Sequence, residues 1–323
     1  MANNRIAYGL AKEYGINTEG MSPKEVWAAL ANKGINQGNY QQYQNRNNES
    51  YNNINKSQTI SEEVKMHNYV LNSEDKKVIE NIRNGDYYSV EELKNLPLFK
   101  KMDEVAKQIK LEVGKEIGIP SGRTIELNTP EREKQRKQFL NNFLNGTGKA
   151  KTRPNPLKKE FKMTIVVGLP ASGKSTQIAD PLSEEIGAFI FDSDEMKNTI
   201  PEYKNGANGG GVHEESKMLL DKAQEYFTTG SMKGTNIVYP FIGDDAKKTM
   251  KKIQPFIDAG YDVEIAYKKA DTAESMNRAL MRAVTKNRPF ESNVLEGYNN
   301  EKVVRAFNET LEKGIKKSKY SEL

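Results

Sequence analysis

Eight consecutive residues, Gly168-Leu-Pro-Ala-Ser-Gly-Lys-Ser175, match the pattern G-x-x-x-x-G-K-[ST] in full. Each fixed position has a chemical task. Gly168 and Gly173 let the backbone curl tightly enough that successive N–H groups point inward at an anion. A helix that begins where the loop ends adds its positive pole and its unpaired donors. Lys174 can reach the β- and γ-phosphates of a nucleoside triphosphate, and the Ser175 hydroxyl suits a magnesium ion. Ala171, Ser172 and Thr176 complete the expected phosphate-binding stretch, with Pro170 an ordinary occupant of a variable position.

A phosphate loop alone does not separate kinases from motors, switches and ATPases. The run Phe191-Asp192-Ser193-Asp194 does, because it puts two carboxylates at the end of the second predicted strand. That is the sheet edge at which open parallel folds bind their ligands. A carboxylate there can take the proton of an acceptor hydroxyl or orient it for attack. Asp194 is the better base, while Asp192 suits a helix cap or a magnesium contact. Further on, Arg278 and Arg282 lie one helical turn apart, and Arg288 follows in a Lys-Asn-Arg-Pro loop that resembles a lid. Phosphoryl transfer spreads charge over equatorial oxygens that arginines stabilise. No Asp or Glu ends the strand predicted at 236–239, so the usual metal carboxylate of motors and helicases is missing there.

The elements that must position these groups alternate. Strands are predicted at 162–167, 188–191, 236–239 and 262–267. Helices are predicted after the phosphate loop to about 185, then at 213–229, 245–258, 271–286 and 301–316. Such alternation implies a parallel sheet with helices on both faces. The fold class is therefore α/β, a three-layer P-loop kinase sandwich preceded by a mostly helical N-terminal region.

That region divides by composition. Residues 1–34 read as a small helical hairpin, a docking module or tether. Its second helix starts at Ser22-Pro23, with Glu25 completing a capping box and Val26, Trp27 and Leu30 on one face. Residues 35–60, rich in Asn, Gln, Tyr and Ser, read as a polar flexible linker. Residues 61–127 regain helical spacing in two or three amphipathic helices, and residues 128–323 form the kinase domain. The helix at about 130–144 opens at Thr129-Pro130 and carries Arg132, Arg136 and Lys137 on its polar side, with Phe139, Leu140, Phe143 and Leu144 toward a core.

Composition removes other chemistries. The 323 residues contain no Cys and only two His, His67 and His213, so disulfides, thiolate nucleophiles and His-rich metal sites are excluded. A net charge of +5 suits a protein that handles phosphates. It is too interspersed with acid for a nucleic-acid groove. No apolar run spans a bilayer and no signal peptide opens the chain, so a cytoplasmic protein, or one delivered into a target cell's cytoplasm, is expected.

Over about 128–316 the chain resembles the zeta toxin family of P-loop kinases. The likeness rests on the loop through Thr176, on Phe191-Asp-Ser-Asp-Glu-Met-Lys197 followed by Ile200-Pro-Glu-Tyr203, and on Val212-His-Glu-Glu-Ser216. It extends to Gly260-Tyr-Asp-Val263, to Glu274-Ser275 through Arg288-Pro289, and to the Thr129-Pro-Glu-Arg132 helix. The resemblance implies ATP (or GTP) and Mg²⁺, and transfer to the 3′-hydroxyl of the sugar in UDP-N-acetylglucosamine, which blocks peptidoglycan synthesis. By motif Asp194 is the general base, Lys174 and Ser175 serve phosphate and metal with Asp192, and Arg282 and Arg288 steady the transferred group. Asp192, His213, Glu214 and Arg278 are candidate substrate contacts. Where the family often ends its third strand in Glu-Gly-Thr, this chain reads Tyr239-Pro240-Phe241, so that acidic contact is absent.

Two alternatives stand beside this reading. A polynucleotide or nucleoside 5′-hydroxyl kinase would share the loop and the second-strand Asp, and would need a basic groove with stacking aromatics. A structural or delivery protein of a mobile element would use the fold as a nucleotide switch and residues 4–34 to dock. The family's usual helical antitoxin is an expected partner. Alternatively, the helices of 61–127 could cover the site as an inhibitor in the same chain.

Overall fold

In this computed structural model, residues 11, 16–18, 21–32, 71–146, 156–286, 297 and 299–322 are described, and the chain divides into two compact units, Met1–Glu63 and Val64–Leu323. In the first unit, helix α1 (Pro23–Ala31) starts as its residues require. The Glu25 carboxylate accepts from both the N–H and the hydroxyl of Ser22, at 2.7 and 2.6 Å. Val26 and Leu30, one turn apart, bury against Ala11, with Ile16, Met21 and Trp27 around them. Most of the hairpin's other helix and the 35–60 linker lie outside the described residues.

The second unit opens with α2 (Ser73–Asn84), α3 (Val90–Asn95) and α4 (Pro97–Glu116). Reciprocal side-chain caps, Asn72 with Asp75 and Ser89 with Glu92, satisfy the free donors of the first two. Next comes α5 (Pro130–Asn145), where the Thr129 hydroxyl accepts the Arg132 N–H at 3.1 Å and Gly146 turns the chain away. The α/β part follows as β1 (Lys162–Val167), a wide-turned helical segment Lys174–Ala179 running into α6 (Asp180–Ile186), β2 (Phe189–Ile190), α7 (Ser193–Lys197) and α8 (His213–Thr228). It closes with β3 (Ile237–Phe241), α9 (Ala246–Asp258), β4 (Asp262–Tyr267), α10 (Thr272–Lys286), α11 (Asn300–Glu312) and β5 (Lys316–Lys317).

All five strands are parallel, in the order β2-β3-β1-β4-β5. Period-two alternation sorts their side chains between two buried faces. Met163, Ile165, Val167, Ile237, Tyr239, Val263, Ile265 and Tyr267 pack toward α5, α8, α9 and α11. Val166, Val238 and Ala266 meet Ile178, Ala179 and Leu182 of the helix that follows the phosphate loop. Phe191, just past β2, sits edge-on to Phe143, Phe227, Tyr239 and Phe256, with ring centroids 5.1–6.2 Å apart. This aromatic cluster fixes the point at which the chain turns into Asp192.

Three features differ from the sequence expectation. Arg132 and Arg136 are not on a solvated face of α5 but buried, because Glu215 of α8 lies between them. Arg132 Nε and Arg136 Nε donate to Glu215 Oε1 at 2.9 and 2.7 Å, and Arg132 also holds Glu202 at 2.8 Å. The last helix stops at Glu312 instead of 316, because Gly314 takes φ +89° and the chain returns as β5 beside β4. The third strand runs on through Pro240 to Phe241. The carbonyls of Asn236 and Val238 face β2, where they accept the N–H groups of Phe189 and Phe191. Pro240 therefore presents its missing donor on that same side, beyond the point where β2 has ended.

The helices of 71–116 do not form a core of their own. Ile79, Ile82, Leu93, Leu98, Phe99, Met102 and Ile109 close on Met276, Leu280, Ala283 and Val284 of α10, so the two regions share one apolar cluster.

Candidate active site

The phosphate loop leaves β1 at Gly168, whose φ is +155° and whose Cβ, if present, would lie 2.7 Å from the Lys268 carbonyl. Gly173 takes φ +96°, and Ala171 between them also takes a positive φ, +57°. Such values in a non-glycine residue persist where the surroundings impose them, commonly at ligand sites. The helix after the loop begins wide. The Asp180 N–H donates to the Ser175 carbonyl five residues back, and Pro181 supplies no N–H of its own.

Inside the loop, Lys174 Nζ donates to the carbonyls of Gly168 and Leu169 at 2.8 and 2.7 Å. Burial lowers its pKa to about 8, Asp192 and Asp194 pull it back up, and Arg282 pushes it down. Asp192, Asp194 and Arg282 thus lie near enough to act on the lysine's charge. Ser172 is fully buried, and its Oγ is the one buried side-chain polar atom among the described residues without a hydrogen-bond partner. An orphaned buried hydroxyl costs roughly 1–3 kcal/mol, which a phosphate oxygen accepting its proton removes. The loop's residues thus fit a nucleotide phosphate.

Asp192 Oδ1 accepts the Asp194 N–H at 2.9 Å, so it caps α7 as well as facing the loop. Burial, and then the neighbouring Asp194 charge, push its pKa up to about 7. Asp194 Oδ1 accepts from Lys197 Nζ at 2.7 Å. Lys197 was not singled out from the sequence. Burial works against its charge, but Asp194, Tyr203 and Asp192 outweigh that and raise its pKa. Its spacing of three from Asp194, within one helical turn, was the available signal.

His213 opens α8 and is exposed. About half of its side chain, 49%, stays in water, and partial desolvation of the rest, followed by the charges of Lys197 and Lys217, lowers its pKa, while Glu214 and Asp194 oppose the shift. Glu214 is exposed too, accepting from Lys217 Nζ at 3.4 Å. At the end of β3, Tyr239 Oη accepts from Lys252 Nζ at 3.2 Å, and that ammonium sits 5.3 and 5.1 Å from the ring centres of Tyr239 and Phe241. A cation with two aromatic rings occupies this strand end instead of an acid. Among the described residues no cluster of three or more His, Asp or Glu could hold a metal.

The arginines of α10 separate in role. Arg282 acts on Lys174. Arg278 pairs with Glu274 at 2.7 Å and donates to the Ser172 carbonyl at 3.3 Å, while Ser275 Oγ donates to the Pro170 carbonyl. Helix α10 therefore holds the outside of the phosphate loop at two carbonyls. Arg288 lies outside the described residues.

A parallel sheet of this order, a glycine loop of the phosphate-binding pattern, and acidic and basic groups gathered at one strand edge define a P-loop phosphotransferase. The profile of the Zeta toxin family matches residues 147–318, just over half of the chain, and the chain belongs to that family. Among solved structures it is similar to the PezAT chromosomal toxin–antitoxin system of Streptococcus pneumoniae, at 17% identity over 59% of this chain and 76% of that one, with a TM-score of 0.41. It is also similar to the AvrRxo1-ORF1:ORF2 complex, at 20% identity over 47% of this chain and 50% of the other, with a TM-score of 0.35. The same complex with ATP matches at 21% identity over 47% and 49%, also with a TM-score of 0.35. No curated protein matches the chain. No helix among the described residues is long and apolar enough to cross a membrane.

Proposed function

We propose that this chain transfers the γ-phosphate of ATP, or of GTP, to a hydroxyl of a nucleotide sugar of the UDP-N-acetylglucosamine kind, and so acts as a toxin or effector in a bacterial cytoplasm. The observation that carries the reading is the loop's geometry: Lys174 Nζ folds onto the carbonyls of Gly168 and Leu169, the buried Ser172 hydroxyl has no partner, and Asp192 with Asp194 stands near enough to act on the lysine. Lys174 and the loop from Gly168 to Thr176 bind the donor phosphates, with Ser172 donating its otherwise unpaired hydroxyl. Asp194 accepts the proton of the attacking hydroxyl, and Lys197 holds that carboxylate in place. Arg282, joined by Arg288, steadies the charge of the group in transfer. A magnesium ion on Ser175 and Asp192 would neutralise the β- and γ-phosphates. His213 and Glu214, at the start of α8, are the proposed substrate contacts in place of the acid that the end of β3 lacks. A helical antitoxin is the proposed partner.

The test is incubation of the full chain with γ-labelled ATP and a panel of nucleotide sugars, nucleosides and oligonucleotides. Label should pass to a nucleotide sugar, and Lys174→Ala and Asp194→Asn should each lower the rate at least about a hundredfold. Label found on an oligonucleotide 5′-end would move the reading to a polynucleotide kinase. Bound ATP with no transfer to any acceptor would overturn it.

A further inference from the structure

Tyr87 is one of four large apolar or aromatic residues exposed among the described residues, at 38% of its surface. It comes from the α2–α3 turn, Gly85 to Ser89, and so from outside the 147–318 segment that the family shares. That turn is pinned beside the phosphate loop. Asn277 of α10, fully buried, accepts the Tyr88 N–H at 3.1 Å and donates to the Tyr88 carbonyl at 2.7 Å. Tyr88 points inward, its hydroxyl taking a hydrogen bond from Asn81 at 2.8 Å. Tyr87, the next residue, points the other way. Its hydroxyl accepts from Arg278 Nε at 3.1 Å, and its ring lies 5.8 Å from the centre of that guanidinium. The same guanidinium donates to the Ser172 carbonyl in the phosphate loop.

We infer that Tyr87, with Arg278, forms the shelf on which the base of the donor nucleotide stacks. The inference rests on reading the loop as the nucleotide's phosphate site. Once the phosphates sit there, the base must lie at the rim, and a ring one guanidinium away from Ser172 is where an apolar, polarisable surface stands ready. Aromatic rings and arginine planes both stack on bases, and they do so with little regard to which base it is. The shelf therefore takes a nucleoside triphosphate without selecting ATP over GTP. It also gives the helices of 71–116 a task in the reaction's donor half, because they set the position of the turn.

The test uses the full chain and direct binding of two probes, ATP and inorganic tripolyphosphate, which has the same phosphates and no base. Tyr87→Ala should weaken ATP roughly tenfold and leave tripolyphosphate within about twofold. Tyr87→Phe, which keeps the ring and loses the hydrogen bond to Arg278, should bind ATP nearly as the unaltered chain does. If Tyr87→Ala weakens both probes equally, Tyr87 is only a brace for the loop, and the inference fails. If Tyr87→Ala binds ATP as tightly as the unaltered chain, stacking fails alone and the kinase reading stands. An unaltered chain that binds neither probe would overturn both at the loop itself.

Discussion

Lys174 must carry a charge to hold phosphate, yet its burial favours the neutral amine. Its pKa of about 8 places that conflict within the range of ordinary buffers. ATP affinity should therefore fall as pH rises through about 8, whereas a solvated lysine would hold it level to about 9.5. Removing a neighbouring cation with Arg282→Gln should move the midpoint up, and removing a neighbouring anion with Asp192→Asn should move it down. A series of ATP binding measurements from pH 6 to 10 on the three proteins checks the order. On the acid side, burial and the Asp194 charge hold Asp192 protonated up to about 7. If the reaction needs Asp192 ionised, kcat/KM should climb as pH rises through about 7, making a narrow bell with the lysine limb. The loop residues and both aspartates were legible in the sequence, because their chemistry depends on neighbours within a few positions. Lys197 and Tyr87 were not. Lys197 gains its meaning from being buried, and Tyr87 from a partner 191 residues away.

At the level of elements, amphipathic spacing gave the position of α5 but misassigned its polar side. Periodicity marks which residues share a face. It cannot reveal that a glutamate 83 residues downstream will enter that face and turn two arginines inward. The strand β5 was missed for a related reason. Two exposed lysines carry no apolar alternation, and only Gly314 hinted at the break. The buried cluster yields a sharp contrast between sequence neighbours. Glu215→Ala leaves Arg132 and Arg136 buried without their shared acceptor and should cost about 3–5 kcal/mol in urea unfolding. Glu214→Ala, one residue away and exposed, should change stability by less than about 0.5 kcal/mol.

Across the whole molecule, α10 has two clients. Ser275 and Arg278 hold the phosphate loop, while Met276, Leu280, Ala283 and Val284 seat the helices of 71–116. A chain beginning at residue 128 would expose that apolar stripe. It should be poorly soluble or loosely packed, as read by thermal unfolding and dye binding, instead of being released into higher activity. Higher activity in that shortened chain would restore the idea that these helices inhibit the site. A chain beginning at residue 64 keeps the second compact unit whole and should bind ATP as the full chain does.

The pairing of Tyr88 with Asn277 spans 189 residues, and this sets an order of events during protein synthesis. Helices α2 to α4 leave the ribosome with their apolar faces bare and wait until α10 has been made. At about 5–20 residues per second that interval is on the order of ten seconds or more. The phosphate loop, although made earlier than α10, lacks its two outer supports for the same period. A nascent chain halted before α10 would thus present sticky helices to chaperones and an unfinished nucleotide site, and would be harmless to the cell that makes it.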